Sequence, residues 1–122
     1  MNHNFPERIT LAHLPTPIEK LERLSLAFEG PAIYVKRDDL TGMAKTGNKV
    51  RKLEYLVAQA QSQRCDLLIT CGGAQSNHAR ATALVAAKCG MKSHLVLRNG
   101  AGGDLDGNLF IDRLVGIGRA HV

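Results

Sequence analysis

The sequence predicts an α/β fold built on parallel β-α-β units. Three observations predict it. Short apolar runs alternate with stretches of helical periodicity, each run ends in a glycine-rich or polar turn, and the order after residue 31 is β-α-β-α-β-α. That alternation implies parallel pairing with right-handed crossovers. Ligands of such sheets lie outside the carboxyl ends of the strands, so the loops there are the places to look for chemistry. With 122 residues and 44% apolar content, the chain is sized for one compact domain with one core.

Residues 1–31 open irregularly through Leu14-Pro15-Thr16-Pro17. A short helical pattern at Ile18, Leu21, Leu24 and Phe28 follows, and Gly30-Pro31 stops it. Residues 32–36 read as a strand. Arg37-Asp38-Asp39 and a loop over 41–47 lead to a helix from Lys49 to about Gln63, with Asn48 as a favoured N-cap. Val50, Leu53, Leu56, Val57 and Ala60 form its apolar stripe. Residues 67–70 read as a buried strand closed by Gly72-Gly73. A second helix runs from about Asn77 to Cys89, ended by Gly90, and its many alanines allow close approach to a sheet. Residues 94–97 make a third strand and 99–103 a glycine-rich loop, and helical spacing returns over 108–115. The loop fails the dinucleotide pattern GxGxxG, because Leu105 stands where the third glycine belongs.

Composition narrows the function classes. The formal net charge of +5 comes without a Lys/Arg block and with only 4% aromatic residues, so nucleic-acid binding is weakly supported. No apolar run approaches the roughly 20 residues that span a membrane. Cys65, Cys71 and Cys89 are odd in number and lack a CxxC spacing, which points to reduced thiols in a soluble cytoplasmic protein rather than disulfides or zinc; Cys71 reads as a packed thiol. His3, His13, His94 and His121 show no metal-ligand spacing.

Two stretches carry candidate chemistry. In Gly47-Asn48-Lys49-Val50-Arg51-Lys52, three cations crowd the first turn of a helix, the end where the dipole disfavours them. Like charges and the dipole both favour a neutral, nucleophilic Lys49 amine, and the same field attracts phosphate. An amine beside a phosphate site points to pyridoxal phosphate; a solvated basic turn is the plainer alternative. In Gly72-Gly73-Ala74-Gln75-Ser76-Asn77-His78, a strand hands over to a helix that Ser76 or Asn77 can cap. Free amides there suit a carboxylate or a phosphate. The serine hydroxyl can pass a proton, and the asparagine amide can bond a phenolic oxygen; His78 stands out only by its neighbours.

Lys36-Arg37-Asp38-Asp39-Leu40-Thr41-Gly42, the stretch GNKVRKLEYL from Gly47 to Leu56 and the stretch GGAQSNHAR from Gly72 to Arg80 resemble the D-cysteine desulfhydrase and 1-aminocyclopropane-1-carboxylate (ACC) deaminase family. The likeness runs from about residue 14 to about 116, and the paired motifs are highly specific. It implies the tryptophan synthase β-like fold (fold type II), pyridoxal 5'-phosphate as cofactor, a small amino acid as substrate and a homodimeric parent. It also implies roles. Lys49 matches the lysine that bonds to the cofactor and moves protons at the substrate α-carbon, and Asn77 the asparagine on the cofactor's ring oxygen. Ser76 matches the serine facing the lysine, and Lys52 a phosphate ligand. The amides of Ser76, Asn77 and His78 would receive the substrate carboxylate.

Members of that family have about two domains' worth of chain, and their phosphate cup and pyridine-nitrogen partner lie beyond this sequence. Residues 1–122 are therefore expected to be the N-terminal part of such an enzyme, inactive alone. Ile117-Gly118-Arg119-Ala120-His121-Val122 leaves the family pattern and reads as a translated sequencing-adapter sequence, so 117–122 is expected to be a non-native tail; a divergent C-terminus is the alternative. The parent would be a D-cysteine desulfhydrase, an ACC deaminase or a cysteate sulfo-lyase. A non-catalytic anion-binding fragment is the reading from another class.

Overall fold

The computed structural model describes residues 5–44, 46–98, 106–116 and 118–121. A three-stranded parallel sheet, β3 (Leu67–Gly73), β4 (Lys92–Arg98) and β5 (Gly118–His121), carries the helices α2 (Lys49–Ser62), α3 (Asn77–Lys88) and α4 (Gly107–Leu114). The register sets Leu67 against Lys92 through Gly73 against Arg98, and His94 against Gly118 through Leu97 against His121. The segment expected to be a tail thus supplies the edge strand. The glycine-rich loop read at 99–103 lies outside the described residues.

Period-two alternation decides which face of the sheet is covered. Ser93, Leu95 and Leu97 of β4 are buried, and Leu95 and Leu97 pack with Ala79, Ala83 and Leu109. Leu68 of β3 packs against a second cluster of Leu11, Ala12, Val50, Leu53, Val57, Ala81 and Val85. Ala79, Ala81, Ala83 and Ala86 of α3 are buried, which brings its backbone close to the sheet, while Ala87 is exposed. The opposite face of β3 is exposed at Leu67, Ile69 and Cys71. The fully buried strand and the packed Cys71 thiol expected from the sequence are therefore corrected: β3 is half-buried on one face and exposed on the other.

The N-terminal region differs more. Ile18–Lys20 is a strand, β1, paired antiparallel with β2 (Tyr34–Lys36), and the helix α1 begins only at Glu22 and ends at Ala27. The strand read at 32–36 is therefore not part of the parallel sheet. Its ends are tied locally, with Arg37 N donating to Pro17 O (2.9 Å) and Leu21 N to Ile33 O (2.8 Å). The spacing of Ile18, Leu21, Leu24 and Phe28 located α1 but set its start too early, since Ile18 lies in β1, and α1 buries no residue, so the spacing marks no core stripe.

Candidate active site

The site is built where α2 and α3 begin. Val50, Leu53 and Val57 bury one face of α2, while Leu56 stays exposed. Glu54 is also buried, at 2% exposure. Its Oε1 accepts the amides of Leu11 and Ala12, both at 2.9 Å, and Arg8 Nη1 reaches its Oε2 at 3.4 Å. A carboxylate that satisfies two buried amides pins the incoming chain to the helix.

The cations at the start of α2 separate into two kinds. Arg51 forms a bidentate pair with Asp38, Nε to Oδ2 at 2.8 Å and Nη2 to Oδ1 at 2.7 Å, and Thr16 Oγ1 donates to the same Oδ1 at 2.8 Å. The hydrogen bonds from Arg51 and then Thr16 hold the Asp38 carboxyl below its usual range. The side-chain ammonium groups of Lys49 and Lys52 make no hydrogen bond or ion pair with a described residue. Lys49 is half-buried and Lys52 exposed. The unfavourable charge at this helix end is thus concentrated on two free ammonium groups.

Asn48 does not cap α2. It already has helical angles (φ −69, ψ −11), and its side chain makes no capping bond. The turn is set one residue earlier, by Gly47 at φ +61 and by Lys49 N donating to Thr46 O (3.3 Å). The buried Thr41 hydroxyl reaches Gly47 O at 2.8 Å and holds that turn from below.

At α3, Ser76 is the N-cap, and its Oγ accepts the amide of Ala79 at 3.2 Å. The serine is pressed against the end of β3: a Cβ on Gly72 would stand 2.7 Å from both Cβ and Oγ of Ser76. Ser76 N donates to Gly73 O at 3.0 Å, so of the three amides expected to take a carboxylate it is already engaged. Those of Asn77 and His78 stand in the first turn, where a helix supplies no acceptor. Burial lowers the pKa of His78, and the charges of Lys49 and then Lys52 lower it further. Both ammonium groups are therefore close enough to be felt at His78, and the two helix starts share one electrostatic environment. At neutral pH the imidazole is uncharged.

The site has a third wall that the sequence motifs did not mark. Asn108, in the first turn of α4, donates from Nδ2 to Gln75 O (2.7 Å) and to Asn77 Oδ1 (2.9 Å). Its backbone amide donates to Gln75 Oε1 (2.9 Å), and Gln75 Nε2 reaches Asp106 Oδ1 at 3.1 Å. No local spacing relates residues 75–77 to 106–108; the signal was limited to polar residues ahead of a helical pattern. Two cavities border this arrangement. One of about 190 Å³ is lined partly by Leu53, Thr70 and His78, and one of about 420 Å³ lies by Cys71, Gly72, Gly73, Val96 and Arg98 at the carboxyl ends of β3 and β4.

A parallel α/β sheet carries an unpaired lysine near a capped helix start with unspent amides, which places the chain in the class of α/β scaffolds suited to an anionic ligand at the strand ends. The pyridoxal-phosphate dependent enzyme family model matches residues 9–118, and the chain belongs to that family. It is 51% identical over 120 residues to the bifunctional D-cysteine desulfhydrase/ACC deaminase, mitochondrial, of Arabidopsis thaliana, covering 94% of this chain and 29% of the relative. It is 52% identical over 109 residues to a putative ACC deaminase of Thermotoga maritima (89% and 34%). To a D-cysteine desulfhydrase of Serratia proteamaculans it is 54% identical over 95 residues (78% and 28%). A solved ACC deaminase homologue superposes with a TM-score of 0.88 at 43% identity, covering 98% of this chain and 35% of that one. The chain thus has the fold type II architecture and spans about a third of the length of these relatives. Among the described residues, no helix is long and apolar enough to cross a membrane.

Proposed function

We propose that this chain is the N-terminal part of a pyridoxal-phosphate-dependent lyase or deaminase acting on a small amino acid, as a D-cysteine desulfhydrase or an ACC deaminase does. The observation that carries the reading is the free, half-buried Lys49 amine on a fixed helix start, beside Ser76, Asn77 and His78. The donor set fits the cofactor. Lys49 would bond to its aldehyde carbon, the second uncompensated cation, Lys52, would meet its phosphate, and Asn77 would hydrogen-bond its ring oxygen. Bound pyridoxal phosphate supplies an electron sink for charge left at the substrate α-carbon.

The remaining work falls to this chain's own groups. With the cofactor bound, the Lys49 amine would hold or move the proton at the substrate α-carbon. Ser76 spends its oxygen lone pair on Ala79 N and keeps its hydroxyl proton for transfer. The first-turn amides of α3 at Asn77 and His78 receive the substrate carboxylate. A neutral His78 adds no competing positive charge to that site. The parent is proposed to be cytoplasmic and dimeric, and the 122-residue chain alone to be inactive, since it spans only about a third of its relatives.

The test is spectroscopic. Full-length protein containing this chain, mixed with pyridoxal phosphate, is expected to show the visible absorbance of lysine-bound cofactor and to lose it in Lys49→Ala. A full-length protein that never takes up the cofactor overturns the reading. The two free cations and unspent amides also favour a second reading, a non-catalytic anion-binding fragment. Inorganic phosphate bound by the isolated chain, together with a full-length protein that bonds no cofactor, would select it.

A further inference from the structure

The polarity of the Asn77 amide is dictated from outside its own helix. A backbone carbonyl can only accept, so the Asn108 side-chain atom 2.7 Å from Gln75 O must be the NH2 nitrogen. That nitrogen's other proton points to Asn77 at 2.9 Å and requires an acceptor there, which must be Oδ1. Asn77 is left with its own NH2 turned away from Asn108. The clasp is held on its other side by the same logic: the Asn108 backbone N–H can only donate, which fixes Gln75 Oε1 toward it and turns Gln75 Nε2 toward the Asp106 carboxylate. Two backbone groups of fixed polarity thereby set three side-chain amides.

We propose that Asn108 is a positioning residue which, by occupying Asn77 Oδ1, makes Asn77 an obligate donor toward the ligand side of the site. A donor there stabilises an oxyanion or other pure acceptor and penalises a hydroxyl that must itself donate. The proposal rests on the reading that Asn77 faces the cofactor's ring oxygen. On that reading, the donor holds the oxygen in its ionised form and Asn108 acts only through Asn77. The charged groups near these residues, Lys49 and Lys52 by His78 and the Asp106 carboxylate on Gln75, are left unchanged in Asn108→Leu.

The experiment compares Asn77→Ala, Asn108→Leu and Asn108→Asp in the full-length holoenzyme, read by pH titration of the bound cofactor's absorbance, with thermal unfolding of each apoprotein alongside. Asn77→Ala is expected to raise the apparent pKa of the ring oxygen by about one unit. Asn108→Leu should raise it in the same direction. Asn108→Asp, whose carboxylate can only accept, should turn the Asn77 amide over and also adds a negative charge beside it, so both effects should raise it at least as far. A purely structural role for Asn108 would lower the unfolding temperature and leave the titration unmoved, which overturns the proposal while the Asn77 reading stands. If Asn77→Ala itself moves nothing, the Asn77 reading fails and the proposal falls with it. Should Asn108→Leu not fold, Asn108→Asp decides: an unshifted titration overturns the proposal.

Discussion

Lys49 and Arg51 stand two residues apart in one helical turn and have different fates, because only Arg51 has a carboxylate within reach. The pair it makes removes one charge from the crowded helix start and leaves the other two uncompensated, acting on His78. His78 reports that field. Its pKa is below the ordinary 6.5, first through burial and then through Lys49 and Lys52. The sign of the linkage follows. Below about pH 6.5 the unfolded chain protonates His78 while the folded site resists, so stability falls as pH drops through that value towards the lowered folded pKa. His78→Asn is expected to flatten this part of the curve. Urea midpoints at pH 7.5 and pH 5 should differ less in the variant than in the parent chain; an equal difference would refute the assignment.

At the scale of elements, the two helix starts are held by different devices, and each makes its own prediction. For α2 the device is Glu54. Replacing it with Leu leaves the Leu11 and Ala12 amides buried without an acceptor and is expected to cost about 3 kcal/mol, at roughly 1–3 kcal/mol for each unpaired group. Glu54→Gln keeps an acceptor and should cost clearly less. Urea denaturation separates the two, and equal losses would show that the amides are not what the side chain serves. For α3 the device is the packing of Gly72 against Ser76. Gly72→Ala should displace Ser76 and cost about 1 kcal/mol through the lost cap. If the variant unfolds with the parent's midpoint, the 2.7 Å approach is not a constraint.

These devices also mark how far the sequence could be read. The elements from α2 to α4 were legible because each buries a stripe or a face, and periodicity reports burial. Lys49, Ser76, Asn77 and His78 were legible as candidates because they follow turn signals at helix starts. Glu54 was not: a carboxylate inside an apolar stripe looks like a solvated residue until its partners arrive from positions 11 and 12. Asn108 was hidden for the same reason, since its partners are more than 30 residues away and only the sheet brings them together. β1 was obscured because a three-residue strand with exposed side chains leaves no alternation to detect, and without it the antiparallel pairing of β2, itself read as a strand, could not be seen.

At the scale of the whole molecule, the covered face and the bare face of the sheet behave oppositely. Helices α2 and α3 bury Leu68 and Leu95, whereas Leu67, Ile69 and Cys71 point to solvent, Ile69 at 66% exposure. An apolar row beside strand edges is a template for pairing with a second copy. The net charge of +5 opposes this only through a field that salt screens. The isolated chain is therefore expected to self-associate with rising concentration, more strongly at high salt. Ile69→Lys should suppress this without loss of helicity, because its side chain enters water. Leu68→Lys, one residue away on the packed face, should instead lose the fold. Sedimentation velocity and circular dichroism read the two outcomes. An Ile69→Lys chain that associates as strongly as the parent would mean that the bare face is not the adhesive one and that β5 at the sheet edge is the surface to test next.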